Sequence, residues 1–168
     1  MSSARVSESE RPGGAFGALQ IVTLASLVEK ETAVPEERPL VSAVFRNRLR
    51  KKMALACDPT VIYGMVLEGK YNGQLLLADL RMDSPYNTYR RRGLPPGPIA
   101  NPGEASLLAA MQPASGEWMY FVATGNGGHA FSRTLAEHNK NVAKYRKKEA
   151  EMRRAARARA QAAGKSSR

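Results

Sequence analysis

Cysteine, histidine and tryptophan are nearly missing from this chain of 168 residues: Cys57 stands alone, the histidines are His129 and His138, and Trp118 is the one tryptophan. A lone cysteine excludes an internal disulfide and leaves the redox compartment unread. Two histidines with no cysteine at ligand spacing make a poor metal site, so neither a metal nor another cofactor is expected. No apolar run has the length to cross a bilayer and no signal-peptide pattern occurs, so a soluble chain without a membrane anchor is expected. Cys57 follows Ala54-Leu55-Ala56 and precedes Asp58-Pro59, a setting that favours a small buried residue over a catalytic thiol.

Acidic residues are also scarce, 15 against 26 Lys and Arg, for a net charge of +11. The excess is local. Residues 146–168 hold nine Lys or Arg against Glu149 and Glu151, so +7 of the charge lies in that tail. Its residues favour helix but form no sustained apolar stripe, the pattern of a solvated helix that frays into disorder. Such a tail is a generic contact for nucleic acid, acidic lipid or acidic cell-wall polymer. Solvation alone accounts for it, and no nucleic-acid partner is expected. The length suits a single domain: residues 1–17 read as a disordered N-terminal segment, 18–146 as the folded domain and 147–168 as a basic helical or disordered tail.

What is present is strong turn and cap chemistry. A first helix is expected from about Gly17 to Thr32. Pro35 with Glu36 and Glu37 should open a second, packed through Val41, Val44, Phe45 and Leu49, with Arg46, Arg48, Arg50 and Lys51 mostly outside that face. Asp58-Pro59 should cap a short helix ending near Gly64. Residues 69–100 read as loop-rich. Asn101-Pro102-Gly103-Glu104 has the form of a capping box with Asn101 as N-cap, opening a helix from Ala105 to Met111. Trp118–Ala123 and His129–Ser132 read as strands joined by the glycine-rich turn Thr124–Gly128, and Thr134–Glu137 as a second capping box. The order of elements predicts a helix-rich α+β domain with a small β-hairpin.

The chemistry concentrates at the end of the first helix. Leu24, Leu27 and Val28 form a stripe at i, i+3, i+4, and Glu31 extends it by a turn, so a carboxyl group shares the inward face. Glu29 lies roughly 200° around the helix from Glu31, so the two cannot form one carboxylate pair. Ordinary solvated helix-end glutamates beside Lys30 are the plain reading, and one working acid is the sharper one.

Six segments then decide the matter. Leu24–Thr32, Val44–Leu49, Asp58–Gly64, Tyr86–Tyr89, Gly93–Gly103 and His129–Asn139, in unbroken order across residues 20–146, closely resemble the YceG-like family of endolytic murein transglycosylases, the MltG type. The resemblance implies that residues 18–146 form a catalytic domain, comparable with lysozyme-like enzymes by analogy of fold, that cleaves within peptidoglycan glycan strands. It implies cleavage of the bond between N-acetylmuramic acid and N-acetylglucosamine, leaving a 1,6-anhydro ring. The muramic 6-hydroxyl then replaces the water that other glycosidases activate with a second carboxylate. Glu31 is the implied acid and then base, with Glu29 the alternative one register away. Tyr86, Asn87, Thr88, Tyr89, Asn101 and His129 are the implied sugar contacts. For the tyrosines core packing is an equal reading, for Asn101 an N-cap, and for His129 a residue pinning the hairpin. His138, Asp58 and Thr134 read as structural.

The same resemblance implies work with a peptidoglycan synthase at the outer face of the bacterial inner membrane. Members usually carry an N-terminal membrane anchor and a small LysM-like domain, both missing from this chain, and a polar residue where Ala56 stands. The chain therefore reads as a catalytic core retained alone. Its rivals are a non-catalytic basic module for cell wall or nucleic acid, and a hydrolytic muramidase, which needs a second carboxylate near Glu31.

Overall fold

The computed structural model describes residues 16–166, and the disorder expected for residues 1–15 lies outside them. Its order is α1 (Ala18–Glu31), a 3-10 turn (Pro35–Glu37), α2 (Arg38–Arg50), α3 (Asp58–Leu67), a 3-10 turn (Asp79–Arg81), α4 (Glu104–Met111), β1 (Tyr120–Ala123), β2 (His129–Ser132) and α5 (Leu135–Ser166). This is the helix-rich α+β fold with one hairpin that the turn chemistry implied. The described residues divide into two compact units, one up to Met119 and one from Tyr120 onward.

In the first unit α1 is central. It packs against α2, α3 and α4, and residues Thr23 through Val28 are buried without interruption, as expected for a helix covered on more than one side. Leu24, Leu27, Val28, Val41, Val44, Leu55 and Val61 are all 0 % exposed and make the core with Phe45. Each such side chain contributes roughly 1.5–3 kcal/mol of apolar burial. Ser26 is buried among them without penalty, because its hydroxyl donates to Thr23 O and accepts the Ile99 amide.

Several boundaries differ from the sequence reading, each for a reason visible in the bonding. Pro35–Glu37 forms a 3-10 turn before α2 rather than its first turn. Glu37 is drawn aside there, accepting from the Thr32 hydroxyl at 3.0 Å. The arginines of α2 are not simply outside its packing face. Arg46 donates to Ala110 O, left over at the end of α4, and Arg48 donates to Met119 O and Leu55 O. Asn47 donates to Gly116 O and Trp118 O. Helix α3 runs through Gly64 to Leu67. Asp58 is its first residue and does not cap it; the N-cap is Cys57. Asn101 is not the cap of α4, which starts from Gly103.

In the second unit β1 and β2 pair antiparallel, Tyr120 opposite Ser132 and Ala123 opposite His129. Trp118 and Met119 precede the strand rather than opening it. Thr124 closes the turn on Gly128 O through both its amide and its hydroxyl, with Gly125 and Gly127 at positive φ. The Thr134–Glu137 box forms as expected: Glu137 accepts the Thr134 and Arg133 amides, and Thr134 Oγ1 accepts the Glu137 amide. Helix α5 lies on the hairpin through the Tyr120–His138 ring stack, Asn141 to Ser132, and Lys148 to Thr124 O and Asn126. It continues to Ser166, exposed and basic through Arg159, and no helix among the described residues is long and apolar enough to cross a membrane.

Candidate active site

Glu31 is placed by the way α1 stops. Thr32 leaves helical geometry at φ −140° while its amide still reaches Val28 O, and its hydroxyl ties back to Glu37 and to the Val34 amide. Glu31 therefore ends a rigid, buried helix with its carboxyl half-buried.

The surface facing it comes from two loops stitched together. Cys57 NH donates to Thr88 Oγ1 at 3.0 Å, Thr60 Oγ1 donates to Cys57 O at 2.7 Å, and the two threonine hydroxyls are 2.8 Å apart. Because the single hydrogen of Thr60 is already used on Cys57 O, Thr88 must donate to Thr60, which closes a ring of hydrogen bonds. The Ala56 amide adds a bond to Thr88 O and holds Ala56 in the left-handed region at φ 49°. This seam fixes Cys57, fully buried, near the Glu31 carboxylate. Burial first, then the charge of Glu31, push the thiol well above its ordinary range, so it stays neutral.

Next in sequence, Asp58 points outward and accepts a short hydrogen bond from the Tyr89 hydroxyl. Burial, followed by this bond and the charge of Asp58, pushes the Tyr89 hydroxyl well up, and Glu31 contributes to the same shift. Glu31, Cys57, Asp58 and Tyr89 thus form one electrostatic neighbourhood.

Glu29 is elsewhere on the helix and differently employed. Its Oε2 accepts the Ser106 hydroxyl at 2.6 Å and the Gly103 amide at 3.2 Å, so it serves as a distant cap for α4. The Ser106 bond foremost, then the Gly103 amide, holds its carboxyl below the ordinary glutamate range. Arg38 completes the arrangement by donating to the same Ser106 oxygen.

The expected sugar contacts are placed unequally. Tyr89 is 36 % exposed beside Asp58, and Tyr86 is half-buried with its ring 4.8 Å from that of Tyr63. Asn101 is exposed in the loop before α4. Asn87 is 0 % exposed and its side chain serves the loop: Nδ2 donates to Leu80 O and Met82 O, and Oδ1 accepts the Tyr89 amide. Thr88, 2 % exposed, is equally committed to the Cys57 seam. Asn87 and Thr88 therefore build the wall rather than line it. His129 belongs to the second unit, between the rings of Phe121 and Phe131.

Sequence reasoning read Cys57 as a small buried residue, which it is, and Asp58 as a helix cap, whereas Asp58 is the first residue of α3 and bonds to Tyr89. Among the described residues no group of His, Cys, Asp and Glu is arranged to hold a metal ion.

A half-buried glutamate that ends a buried helix, faced by a polar seam, defines a small carboxylate-centred site on a helical α+β scaffold. The chain belongs to the YceG-like family, whose profile matches residues 4–144. It is 48 % identical over 126 residues to a protein of Bacillus subtilis named endolytic murein transglycosylase, covering 75 % of this chain and 34 % of that one. It is 35 % identical over 132 residues to a Streptococcus pneumoniae protein of the same name, covering 75 % of this chain and 23 % of the relative. A crystal structure of a yceG-like protein from Listeria monocytogenes aligns at TM-score 0.66 and 45 % identity, over 71 % of this chain and 38 % of the other. The chain thus spans about a third or less of the curated relatives it matches.

Proposed function

We propose that this chain is the catalytic part of an endolytic lytic transglycosylase, which cuts the N-acetylmuramic acid to N-acetylglucosamine bond within peptidoglycan strands and leaves 1,6-anhydro ends. The observation that carries the reading is Glu31. Of the two helix-end glutamates it is the one set against a polar, solvent-reaching cluster, while Glu29 is bound to Ser106 and Gly103. The names of the relatives point to the same polymer.

In this mechanism Glu31 protonates the departing glycosidic oxygen, and the resulting carboxylate takes the proton of the muramic 6-hydroxyl as that oxygen attacks the anomeric carbon. The leaving group departs as an alcohol and the sugar closes on itself without water. The end of α1 favours the protonated acid, since the negative end of the helix dipole opposes a carboxylate there. Tyr89 and Tyr86 offer hydroxyls and ring faces to the sugars, with Asn101 as a further contact. Asn87 and Thr88 hold the loop that presents Tyr89. The reading extends to the family's setting, a peptidoglycan synthase partner at the outer face of the inner membrane.

The test is mass spectrometry of the strand ends released by the wild-type chain, by Glu31→Gln and by Glu29→Gln. Anhydro ends that vanish in Glu31→Gln, with a loss of at least 10²-fold, and persist in Glu29→Gln are expected. Loss confined to Glu29→Gln would overturn the assignment of the acid. Reducing ends would make the enzyme a hydrolase, with Asp58, which shares the neighbours Cys57 and Tyr89 with Glu31, as the second carboxylate.

A further inference from the structure

Asp58 and Tyr89 carry the seam between their two loops out to the surface. The Ala56 amide donates to Thr88 O, the Cys57 amide to Thr88 Oγ1, and one residue further along each loop the Tyr89 hydroxyl donates to Asp58 Oδ1. Thr88 is 2 % exposed, whereas Asp58 is exposed and Tyr89 is 36 % exposed, so only this last bond lies open to a ligand. We propose that Asp58 is a positioning residue that fixes the Tyr89 hydroxyl as a hydrogen-bond acceptor, so that the pair receives donor groups of the glycan, its hydroxyls and amide N–H groups. The proposal rests on the reading of Tyr89 as a sugar contact.

The number of hydrogens decides which way the bond runs. A carboxylate has none to give, so the phenol is the donor and its single hydrogen is used. Burial, then the bond to Asp58, pushes the hydroxyl well up and keeps that hydrogen in place. What the hydroxyl retains for a ligand is its lone pairs, and the second carboxylate oxygen adds more of the same kind. Among the described residues neither side chain makes another hydrogen bond. A face made only of acceptors takes N–H and O–H groups and turns away carboxylates.

The bond also fixes the ring. Tyr89 is held at its near end, where Asn87 Oδ1 accepts its amide, and at its far end by a bond to a charged group, the stronger kind. A ring tied at both ends loses little rotamer freedom when a sugar arrives. The nearby cations are engaged elsewhere: Arg90 donates to Arg81 O, and Arg91 to Ser84 O and Asp83.

Binding of peptide-free glycan strands by the full chain, together with KM and kcat for release of anhydro ends, tests the proposal in a double-mutant cycle. Tyr89→Phe and Asp58→Ala should each weaken binding and raise KM by about 3–10-fold, the size of one hydrogen bond, with a smaller change in kcat. The double variant should be no worse than Tyr89→Phe, since Asp58 acts through the hydroxyl. Asp58→Asn retains an oxygen that accepts from the phenol and should recover most of the affinity. Additive losses, or a lowered melting midpoint with affinity and KM unchanged, overturn the proposal. So does an Asp58→Asn chain that binds strands normally and has lost kcat, because Asp58 is then a reacting carboxylate. Coupled losses of binding in a chain that releases no anhydro ends uphold the pairing and overturn the catalytic reading, so the two fail separately.

Discussion

Asn87 carries more of the loop than any neighbouring side chain, because it replaces the secondary structure that residues 82–91 lack. Its amide satisfies Leu80 O and Met82 O, its oxygen takes the Tyr89 amide, and its backbone oxygen takes the amides of Arg90 and Arg91. Truncation to alanine strands three part-buried backbone groups, each at about 1 kcal/mol. Asn87→Ala should therefore lose about 2–4 kcal/mol in urea unfolding, and lose cleavage through the displaced Tyr89. A variant of wild-type stability with weakened glycan binding would instead return Asn87 to the sugar contacts. Asparagine in a loop is the same letter whether it binds a ligand or the chain, so this residue was visible in the sequence while its employment was not. Glu31 was more legible. Its place one turn beyond Leu24, Leu27 and Val28 follows from helical periodicity alone, and all three are fully buried.

Elements were legible to the extent that their signals were local. The Thr134–Glu137 box and the glycine turn of the hairpin close on themselves within four residues, and both form as read. Boundaries set by distant partners were misread. Asn101 has the right letters for a cap, but α4 is capped by Glu29, 74 residues before Gly103. Gly64 suggested a helix end, whereas it sits inside α3 because another chain segment comes too near for a side chain. A Cβ there would lie 2.7 Å from Ser84 Oγ and 3.3 Å from Ser84 Cβ. Gly64→Ala gains about 1 kcal/mol of helix propensity and forces the Ser84 turn outward, for a net loss of about 1–3 kcal/mol. Ser84 Oγ also accepts the Tyr86 amide, so the push passes to the loop that carries Tyr89. In a Ser84→Ala background the same substitution should cost less, because the nearer clash is gone. Additive losses in a double-mutant cycle would show that the close approach is not what selects glycine.

At the scale of the whole molecule, charge and chemistry are separated along the chain. Glu31, Cys57, Asp58 and Tyr89 belong to the unit that ends at Met119, and most of the positive excess follows Tyr145. Within the second unit Lys148 is the last basic residue seen to hold the hairpin, through Thr124 O and Asn126, and Met152 Cε lies 3.5 Å from where a Cβ on Gly125 would be. Among the described residues Arg153 bonds along its own helix, to Glu149. Removing residues 153–168 takes away six Lys or Arg and none of those hairpin ties. The shortened chain should keep the wild-type melting midpoint and rate of anhydro-end release. Its weak binding to duplex DNA, used as a plain polyanion, should fall, and the slope against log salt should flatten, because fewer phosphates are neutralised. Unchanged polyanion binding would place the relevant charge among Arg90, Arg91 and Arg92 instead, exposed beside the Tyr89 loop. A loss of cleavage with an intact fold would make the basic helix part of the grip on glycan, since the polymer then needs a contact that the carboxylate site does not supply.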